Sequence, residues 1–491
     1  MQTVAKWDVF ETSFELAGGP GDDPLRRVTL AAVFVSPGGA RREIEGFWAG
    51  GRTWKVRFMP NEIGTWRYSV RLGEEEHAGA FACTASDLPG MVTAHPQNPI
   101  WLGYAEGEPL TLRSFHAGDR LFASNFPDAD RAAFLDWLVG QGYTMLSVAS
   151  FWVNRQSPGR GMGWKTPRLW PIDAAEYDRL ETILDDLKER RIVVFPFAGF
   201  FGRAGFNPNA YQDQVLYLRY LIARYGSYWN LIFNVAGPEP LLSANPFMTK
   251  EQVDRVGRLV KRLDPYGHLV TVHNATWENP FLLDDDYMDV ATIQGPKTRD
   301  QELLYHQTMN KRVAGGPVYA QETLWPGNTL GHPDYDLTDI RRNAITLSMT
   351  AATINFGDFA GTSSSGFSGS LRLDDRRQAI HDEIHRVWDL MDGFVPQRMR
   401  PEPGRVDTGF CLAGEESLLV YLPDGGEVTV SDLPPLADAR WVSPREDAAI
   451  EPAGDGPTFT APGSAPASTA EPAANARGEE DWLLYLTFAG A

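Results

Sequence analysis

Two glutamates stand where short apolar segments of the sequence give way to loops. Glu239 follows "LIFNVAG" (residues 231–237), and Glu322 closes "GPVYAQE" (residues 316–322). Two carboxyl groups that flank one bond suit glycoside hydrolysis, because one protonates the leaving oxygen while the other attacks or activates water. A single glutamate after a strand is more often a helix N-terminal carboxylate, stabilised by the helix dipole. The chemistry therefore depends on whether the fold brings the two together.

The middle of the chain, residues 93–392, alternates short apolar segments with helical patterns. The predicted strands lie in residues 112–118, 143–151, 192–201, 231–237, 268–274, 288–295, 316–322 and 351–359. Parallel strand–helix units in this number are typical of a closed (β/α)8 TIM barrel. An open doubly wound sheet is the alternative, but the Gly-rich "AGGPGDDP" (17–24) does not lie between a strand and a helix, as a phosphate-binding turn would.

The two flanking regions have β-rich patterns. Residues 1–92 and 393–491 contain short segments rich in Val, Phe, Trp and Thr, separated by Gly, Pro and Asn. The spacing predicts an N-terminal and a smaller C-terminal β-sandwich. The Ala/Pro/Ser-rich tract at residues 463–480 cannot bury a core, so we expect a mobile loop between the last two strands.

The candidate site follows from the predicted barrel. Active sites of parallel barrels lie at the carboxyl ends of the strands. On a ring of eight, the fourth and seventh strands face each other across the mouth, which places Glu239 opposite Glu322. Aromatic faces suit the C–H faces of sugars, and amides and imidazoles suit hydroxyls. The predicted substrate-binding residues are His116, Trp152, Asn154, Phe200, Arg203, His273, Asn274, Gln294, Trp325 and Asp358. For Trp152 and Trp325, rim packing is an equal alternative.

Other chemistries find less support in the motifs. The sequence has nine His and contains no HxH, no HExxH and no GxSxG, so zinc hydrolysis and serine hydrolysis are weakly supported. No cofactor and no metal is predicted. The two cysteines, Cys83 and Cys411, lie in different predicted domains, and no disulfide framework is expected.

The charge and the N-terminus limit the partners. A net charge of -19 repels nucleic acids and anionic membranes. The N-terminal "MQTVAKWDVFETSFEL" has no apolar core of signal-peptide length, and no segment approaches the ~20 apolar residues of a membrane span. We expect a cytoplasmic protein, or a secreted one if a leader was removed, with a carbohydrate substrate; a homo-oligomer is left open.

Several motifs resemble glycoside hydrolases of clan A. The segment "YGSYWNLIFNVAGPEP" resembles their fourth-strand motif, and "GPVYAQETLWPG" resembles their seventh strand. More narrowly, "MDVATIQG", "PVYAQE" and "AATINFGDF" resemble the apiosidase-like family. "ARWVSPRED" and "EDWLLYL" match the C-terminal β domain common in that family, and "GFWAGGRTWKVRFMPNEIGTWRYSV" resembles the immunoglobulin-like domain that often precedes such barrels.

The resemblance implies roles for the two glutamates. Glu239 would be the general acid/base, with a pKa raised by burial and by its negative partner, and Glu322 the nucleophile of a retaining double displacement. One residue departs from the pattern, since Pro238 stands where clan A usually has an Asn that binds the sugar 2-hydroxyl, and proline has no side-chain donor. Two alternatives remain: a carbohydrate-binding or scaffold protein with an inactive barrel, and a non-glycosidic hydrolase or lyase that uses the same carboxylates.

Overall fold

The computed structural model describes most of the chain. The described residues are 1–19, 21–107, 111–118, 121–148, 169–202, 207–241, 246–274, 286–312, 315–328, 331–357, 375–445, 450–463 and 480–490.

The N-terminal region is a two-layer β-sandwich, as predicted. Its elements are β1 (Gln2–Ala5), β2 (Phe10–Glu15), the one-turn helix α1 (Pro24–Arg27), β3 (Leu30–Val35), β4 (Arg41–Glu45), β5 (Phe47–Gly50), β6 (Thr53–Phe58), β7 (Gly64–Leu72) and β8 (Glu75–Thr84). One sheet has the order β1-β8-β7-β3-β4 and the other β2-β6-β5. The layers meet through stacked rings, with Phe34 and Phe58 at 4.1 Å and Phe10 and Phe81 at 4.1 Å between centroids.

Eight parallel strand positions form the middle of the chain, after a hairpin of β9 (Val92–Ala94) and β10 (Leu102–Tyr104). In order they are β11 (Ser114–Gly118); β12 (Met145–Val148); β13 (Val193–Pro196), followed by the short β14 (Phe201–Gly202); β15 (Phe233–Asn234) with β16 (Ala236–Gly237); β17 (Val270–Thr271) with β18 (His273–Asn274); β19 (Ala291–Ile293); β20 (Val318–Leu324); and β21 (Ala352–Phe356). We number these positions barrel strands 1 to 8.

The pairing of these strands closes into a ring. One sheet runs β13-β12-β11-β21-β20-β19-β18. A parallel bridge between Val194 and Leu231 joins barrel strand 3 to barrel strand 4. Barrel strand 4 then pairs with barrel strand 5 through β15 and β17. Each barrel strand therefore has two parallel neighbours, and the predicted eight-stranded TIM barrel is confirmed.

Helices surround the barrel, namely α2 (Asp128–Gln141), α3 (Ala174–Glu189), α4 (Tyr211–Tyr225), α5 (Lys250–Leu263), α6 (Gln301–Met309), α7 (Leu337–Met349) and α8 (Asp375–Asp392). Capping boxes begin α5 at Thr249 and α7 at Asp336, where side chain and backbone satisfy each other's hydrogen bonds. The apolar face predicted for α3 is buried. Between barrel strands 5 and 6 the described residues form no helix, and residues 275–285 lie outside them.

The C-terminal region is a second β-sandwich. Its strands are β22 (Arg400–Pro401), β23 (Phe410–Ala413), β24 (Ser417–Leu422), β25 (Glu427–Thr429), β26 (Leu436–Val442), β27 (Ile450–Pro452), β28 (Thr458–Thr460) and β29 (Trp482–Phe488). Six strands form the sheet β22-β23-β24-β29-β26-β27, and β25 pairs with β28. Most of the predicted mobile loop, residues 464–479, lies outside the described residues. The exact domain boundaries stay a prediction.

Both sandwiches are tied to the barrel by buried ion pairs. Arg57 of the N-terminal sandwich binds Glu181 of α3, and Arg224 of α4 binds the same carboxylate. At the other side, Nε of Arg341 in α7 lies 3.0 Å from Asp481, and both side chains are buried. Cys83 and Cys411 are buried free thiols. In the described part of the chain, no helix has the length and apolar character needed to cross a bilayer.

Asp264 should make part of the stability depend on pH. Its carboxylate accepts hydrogen bonds from the backbone N–H groups of Tyr266 and His268 and lies 3.1 Å from Nδ1 of His268. Burial alone would raise the pKa of Asp264, but His268 and the backbone donors outweigh it and lower that pKa. The folded pKa lies below the unfolded value of about 4, so this stabilisation is present above about pH 4 and is lost on further acidification.

We therefore expect Asp264→Asn to destabilise the protein at neutral pH and to match the wild type more closely as the pH falls. Urea unfolding midpoints of both proteins between about pH 7 and pH 3 measure this. A difference in midpoint that stays constant across that range would contradict the assignment.

Candidate active site

Glu239 lies directly after barrel strand 4 and is held against barrel strand 5. Its backbone N–H donates to the carbonyl of His273 at 2.8 Å. Gly237, two residues earlier, lets the chains approach closely, since a Cβ there would lie 2.2 Å from the Phe197 carbonyl oxygen and 2.7 Å from Cβ of His273. The side chain of Glu239 is half-buried. The backbone contacts of barrel strands 3, 4 and 5 thus fix the position from which the side chain of Glu239 extends.

Asn234 holds the ends of barrel strands 3, 4 and 5 together. Its Nδ2 donates to the carbonyls of Pro196 at 3.1 Å and Phe197 at 2.7 Å, and its Oδ1 accepts from the backbone N–H of His273 at 3.1 Å. The side chain is fully buried. Because its amide is engaged with the backbone, Asn234 positions the strand ends and does not replace the hydroxyl-binding Asn that Pro238 displaces.

The backbone of Glu239 is strained. Its φ is 54°, in the left-handed region. A non-glycine side chain there costs on the order of 1–3 kcal/mol, and such residues cluster at active sites. Among the six described non-glycine residues with positive φ, Glu239 is the one at the carboxyl end of a barrel strand. The strain is consistent with a functional position.

This strain leads to a test that compares two substitutions. Asn tolerates the left-handed conformation better than Glu or Gln. Glu239→Asn should therefore be more stable than Glu239→Gln by about 1 kcal/mol, although both lose the carboxyl group. Unfolding midpoints in denaturant measure the difference. A Glu239→Asn protein that is less stable than Glu239→Gln would show that the left-handed backbone carries no such cost.

Glu322 lies within barrel strand 7 rather than at its end. The pairing of β20 with β21 shifts register between Ala320 and Leu324, so Glu322 falls in an irregular segment. Nζ of Lys297 lies 3.3 Å from Oε2 of Glu322, and the two side chains are 17% and 20% exposed. Lys297 lies in the loop after barrel strand 6, so the ion pair joins this loop to barrel strand 7.

A row of aromatic and imidazole rings joins barrel strands 1, 3, 5 and 7 and the segments that follow them. Trp325 lies between two imidazoles, with His116 at 4.3 Å and His332 at 5.8 Å between ring centroids. His116 also contacts Phe197, which meets His273 edge-on at 5.8 Å. Trp325 is only 2% exposed, which favours the packing alternative over an open sugar platform for this residue.

The rings lie over a hydrogen-bonded layer inside the barrel. Nε2 of Gln321 donates to Oγ of Ser147 at 3.1 Å, and Nδ1 of His116 lies 3.4 Å from the same oxygen. One step deeper, Oγ of Ser114 lies 2.7 Å from the Tyr319 hydroxyl and 2.8 Å from Asn355 Oδ1. These hydrogen bonds connect barrel strands 1, 2, 7 and 8, so they hold the base of the candidate site in place.

His332 contributes a neutral imidazole to this region. Burial, and to a lesser extent the charge of Lys297, lowers its pKa to about 3. Neither ring nitrogen has a hydrogen-bond partner within the part of the chain that the structure describes. The ring can therefore both donate and accept without changing charge near neutral pH.

The structure places the predicted substrate-binding residues in different surroundings. His116, His273 and Trp325 lie in the ring cluster, and Gln294 is buried at the end of barrel strand 6. Phe200 is buried against Phe233 at 5.4 Å in the layer beneath the helices, so its substrate contact stays a prediction. Asn274 pairs through its backbone with Ile293, but its side chain is not described. Trp152, Asn154, Arg203 and Asp358 lie outside the described residues.

Sequence reasoning missed Lys297 and His332. Lys297 is a single lysine in a loop, "QGPKTRD", and no spacing rule links it to a glutamate in the following strand. The signal that could have found it is its place just after a predicted barrel strand, where site residues gather.

Comparisons with known proteins agree with this architecture. Residues 122–357 match the family described as "Apiosidase-like, catalytic domain", and residues 3–73 match the "Domain of unknown function (DUF5060)". No match was found among curated protein sequences.

Three solved structures share the fold. A Bacteroides vulgatus protein proposed to be a glycoside hydrolase is 18% identical with a TM-score of 0.73, covering 99% of this chain and 100% of its own. A family 5 glycoside hydrolase from Bacteroides vulgatus is 16% identical with a TM-score of 0.56, covering 82% of this chain and 94% of its own. A third, "Glycoside hydrolase", is 14% identical with a TM-score of 0.57, covering 82% and 98%.

The fold and the family match together define a glycosidase-type TIM barrel with a β-sandwich on each side. More narrowly, residues 122–357 match the family model of the apiosidase-like catalytic domain.

Proposed function

We propose that the protein hydrolyses a glycosidic bond by retaining double displacement, with Glu239 as general acid/base and Glu322 as nucleophile. The observation that carries the proposal is the placement of two glutamates after barrel strand 4 and in barrel strand 7 of a closed eight-stranded ring. A carboxylate pair at that mouth is what the reaction needs. The apiosidase-like match of the barrel supports the same class.

In the first step, a carboxylate oxygen of Glu322 attacks the anomeric carbon and forms an ester with the sugar. The bond between that carbon and the glycosidic oxygen breaks, and the oxygen takes the proton of Glu239. The leaving alcohol departs, and Glu239 is left as a carboxylate. Charge is balanced, because one glutamate becomes an uncharged ester while the other becomes an anion.

In the second step, water attacks the same carbon. Glu239 takes one proton from the water, and the bond between the carbon and the Glu322 oxygen breaks. Glu322 returns as a carboxylate and Glu239 as an acid. Two inversions at one carbon leave the anomeric configuration unchanged.

The neighbouring side chains suit a hydroxylated substrate. Nδ1 of His273 lies 3.1 Å from the carbonyl oxygen of Phe197. A carbonyl can only accept, so Nδ1 carries the proton of this contact. His332 adds an imidazole that stays neutral. These groups support a sugar substrate, either an oligosaccharide or a glycoside.

A screen for released reducing sugar across oligosaccharides and aryl glycosides tests the proposal, with Glu322→Gln run in parallel. Turnover by the wild type that disappears in the variant supports it. Tight binding of a glycan with no release by either protein would favour the non-catalytic carbohydrate-binding alternative.

A further inference from the structure

We propose that Lys297 is a positioning residue that keeps the Glu322 carboxylate ionised and oriented for attack. The structure shows an ion pair between Nζ of Lys297 and Oε2 of Glu322, at 3.3 Å, and this observation does not depend on the proposed function. Its catalytic meaning rests on the proposed function, in which Glu322 is the nucleophile.

The burial of the pair makes the lysine important. Lys297 is 17% exposed and Glu322 is 20% exposed. A carboxyl group withdrawn from water favours its protonated form, which cannot attack a carbon atom. A positive charge within ~4–6 Å favours the ionised form, and a partly buried pair is screened by salt less than an exposed one. Lys297 thus opposes the effect of burial on Glu322.

The contact also restricts the motion of the nucleophile. A hydrogen bond to one carboxylate oxygen limits rotation about the last side-chain bond of Glu322. Lys297 lies in the loop four residues after β19 ends, so this restraint comes from the segment that follows the neighbouring barrel strand. Pre-orientation of a reacting group lowers the entropy lost on reaching the attacking geometry.

Among the described residues, the other titratable groups near Glu322 do not replace Lys297. His332 is neutral because its pKa is held near 3. His116 lies against Trp325, and His273 donates to a backbone carbonyl. Glu239, when ionised, opposes the charge on Glu322 and so acts in the same direction as burial. Lys297 is the cation that the described residues place in ion-pair contact with Glu322.

This role predicts a particular kinetic change. In the glycosyl-enzyme, Glu322 is an uncharged ester, so Lys297 stabilises the ionised free enzyme more than the intermediate. Removing the lysine should therefore move the acid limb of the pH profile of kcat/KM upward by about one to three pH units. At pH values above that limb, where Glu322 is ionised in both proteins, kcat/KM of the variant should differ less from that of the wild type. A purely structural role for Lys297 would change stability without moving that limb.

A labelling experiment tests the charge state without a substrate. The full-length protein is treated with a carbodiimide and glycine ethyl ester across a range of pH, and modification of Glu322 is followed by peptide mass spectrometry. In Lys297→Met the midpoint of labelling should rise by about one to three pH units. Lys297→Arg should stay near the wild type. Lys261→Met is the matched control, since it removes another lysine ion pair, with Asp289, at the opposite end of the barrel.

A double-mutant cycle gives an independent measurement on the folded protein. Unfolding temperatures of the wild type, Lys297→Met, Glu322→Gln and the double variant should show coupling at about pH 7 that disappears near pH 3. Absence of coupling at both pH values, or an unchanged labelling midpoint in Lys297→Met, overturns the proposal.

The two hypotheses fail in different ways. If Glu322→Gln keeps turnover, the proposed function is wrong, whatever labelling shows. If Glu322→Gln is inactive, but the labelling midpoint is unchanged in Lys297→Met and the double-mutant cycle shows no coupling, the proposed function stands and the role of Lys297 is overturned.

Discussion

Replacement of Glu322 by Gln should reduce kcat/KM by on the order of 10³-fold or more, equivalent to about 4 kcal/mol in the barrier. The amide keeps the shape of the side chain but cannot form the glycosyl ester. Steady-state release of sugar from a substrate found in the screen measures the loss. Glu302→Gln is the control, because Glu302 lies on α6 with a side chain that is 67% exposed, and its turnover should equal that of the wild type.

Glu239→Gln should lose a similar factor on natural glycosides, but for a different reason. The variant cannot protonate the leaving oxygen. An aryl glycoside whose phenol is acidic hardly needs that proton, because its leaving group departs readily as an anion. The deficit in the first step should therefore shrink for 4-nitrophenyl glycosides in Glu239→Gln and persist in Glu322→Gln. Near wild-type turnover by either variant, or an identical leaving-group dependence of both, would contradict the assigned roles.

Glu181→Ala should lower the free energy of unfolding by about 3–5 kcal/mol. Oε1 and Oε2 of Glu181 accept from both terminal nitrogens of Arg57 at 2.6 and 2.9 Å, and Arg224 binds the same carboxylate. The arginine side chains are 6% and 1% exposed. Burial alone would raise the pKa of Glu181, but Arg224 and Arg57 outweigh it and lower that pKa. Without the carboxylate, two buried guanidinium groups lose their main counter-charge.

The same interface offers a matched control in Glu45→Ala. Glu45 pairs with Arg219 of α4, but both side chains are 35% exposed, so its loss should cost about 0–1 kcal/mol. Denaturant unfolding followed by both tryptophan fluorescence and circular dichroism would compare the variants. If Glu181→Ala costs no more than Glu45→Ala, the buried cluster does not hold the N-terminal sandwich to the barrel in the way proposed.

The fold was largely predictable because its signal is local. The apolar segments and the helical face of α3 marked the barrel elements to within a few residues. The predicted strand at residues 192–201 is interrupted, giving Val193–Pro196 and Phe201–Gly202. Gly199 lies in the gap with φ of 69°, where a Cβ would come within 2.6 Å of the Asn234 carbonyl oxygen. That break comes from contact with barrel strand 4, which local periodicity does not contain.

The site was predictable only in part, because its contacts join distant positions. The expectation that a barrel gathers strand-end residues at one mouth indicated Glu239, Glu322, His116 and His273 as candidates, and their roles stay predictions. The pairing of Lys297 with Glu322 depends on how the loop after barrel strand 6 turns towards barrel strand 7, and the sequence of that loop does not encode this. The burial of Trp325 between two imidazoles likewise depends on packing, as does its contact with the backbone at Gly357, where a Cβ would lie 2.4 Å from the indole.

The most direct test is to trap the glycosyl-enzyme. In an activated 2-deoxy-2-fluoro glycoside of the sugar found in the screen, the fluorine destabilises the oxocarbenium-like transition states and so slows both steps. The good leaving group restores the rate of the first step, so the glycosyl-enzyme accumulates. We predict that the wild-type protein gains the mass of one fluoroglycosyl group and that peptide mapping places it on Glu322. Attachment to a different residue, or hydrolysis with inverted anomeric configuration, would contradict it.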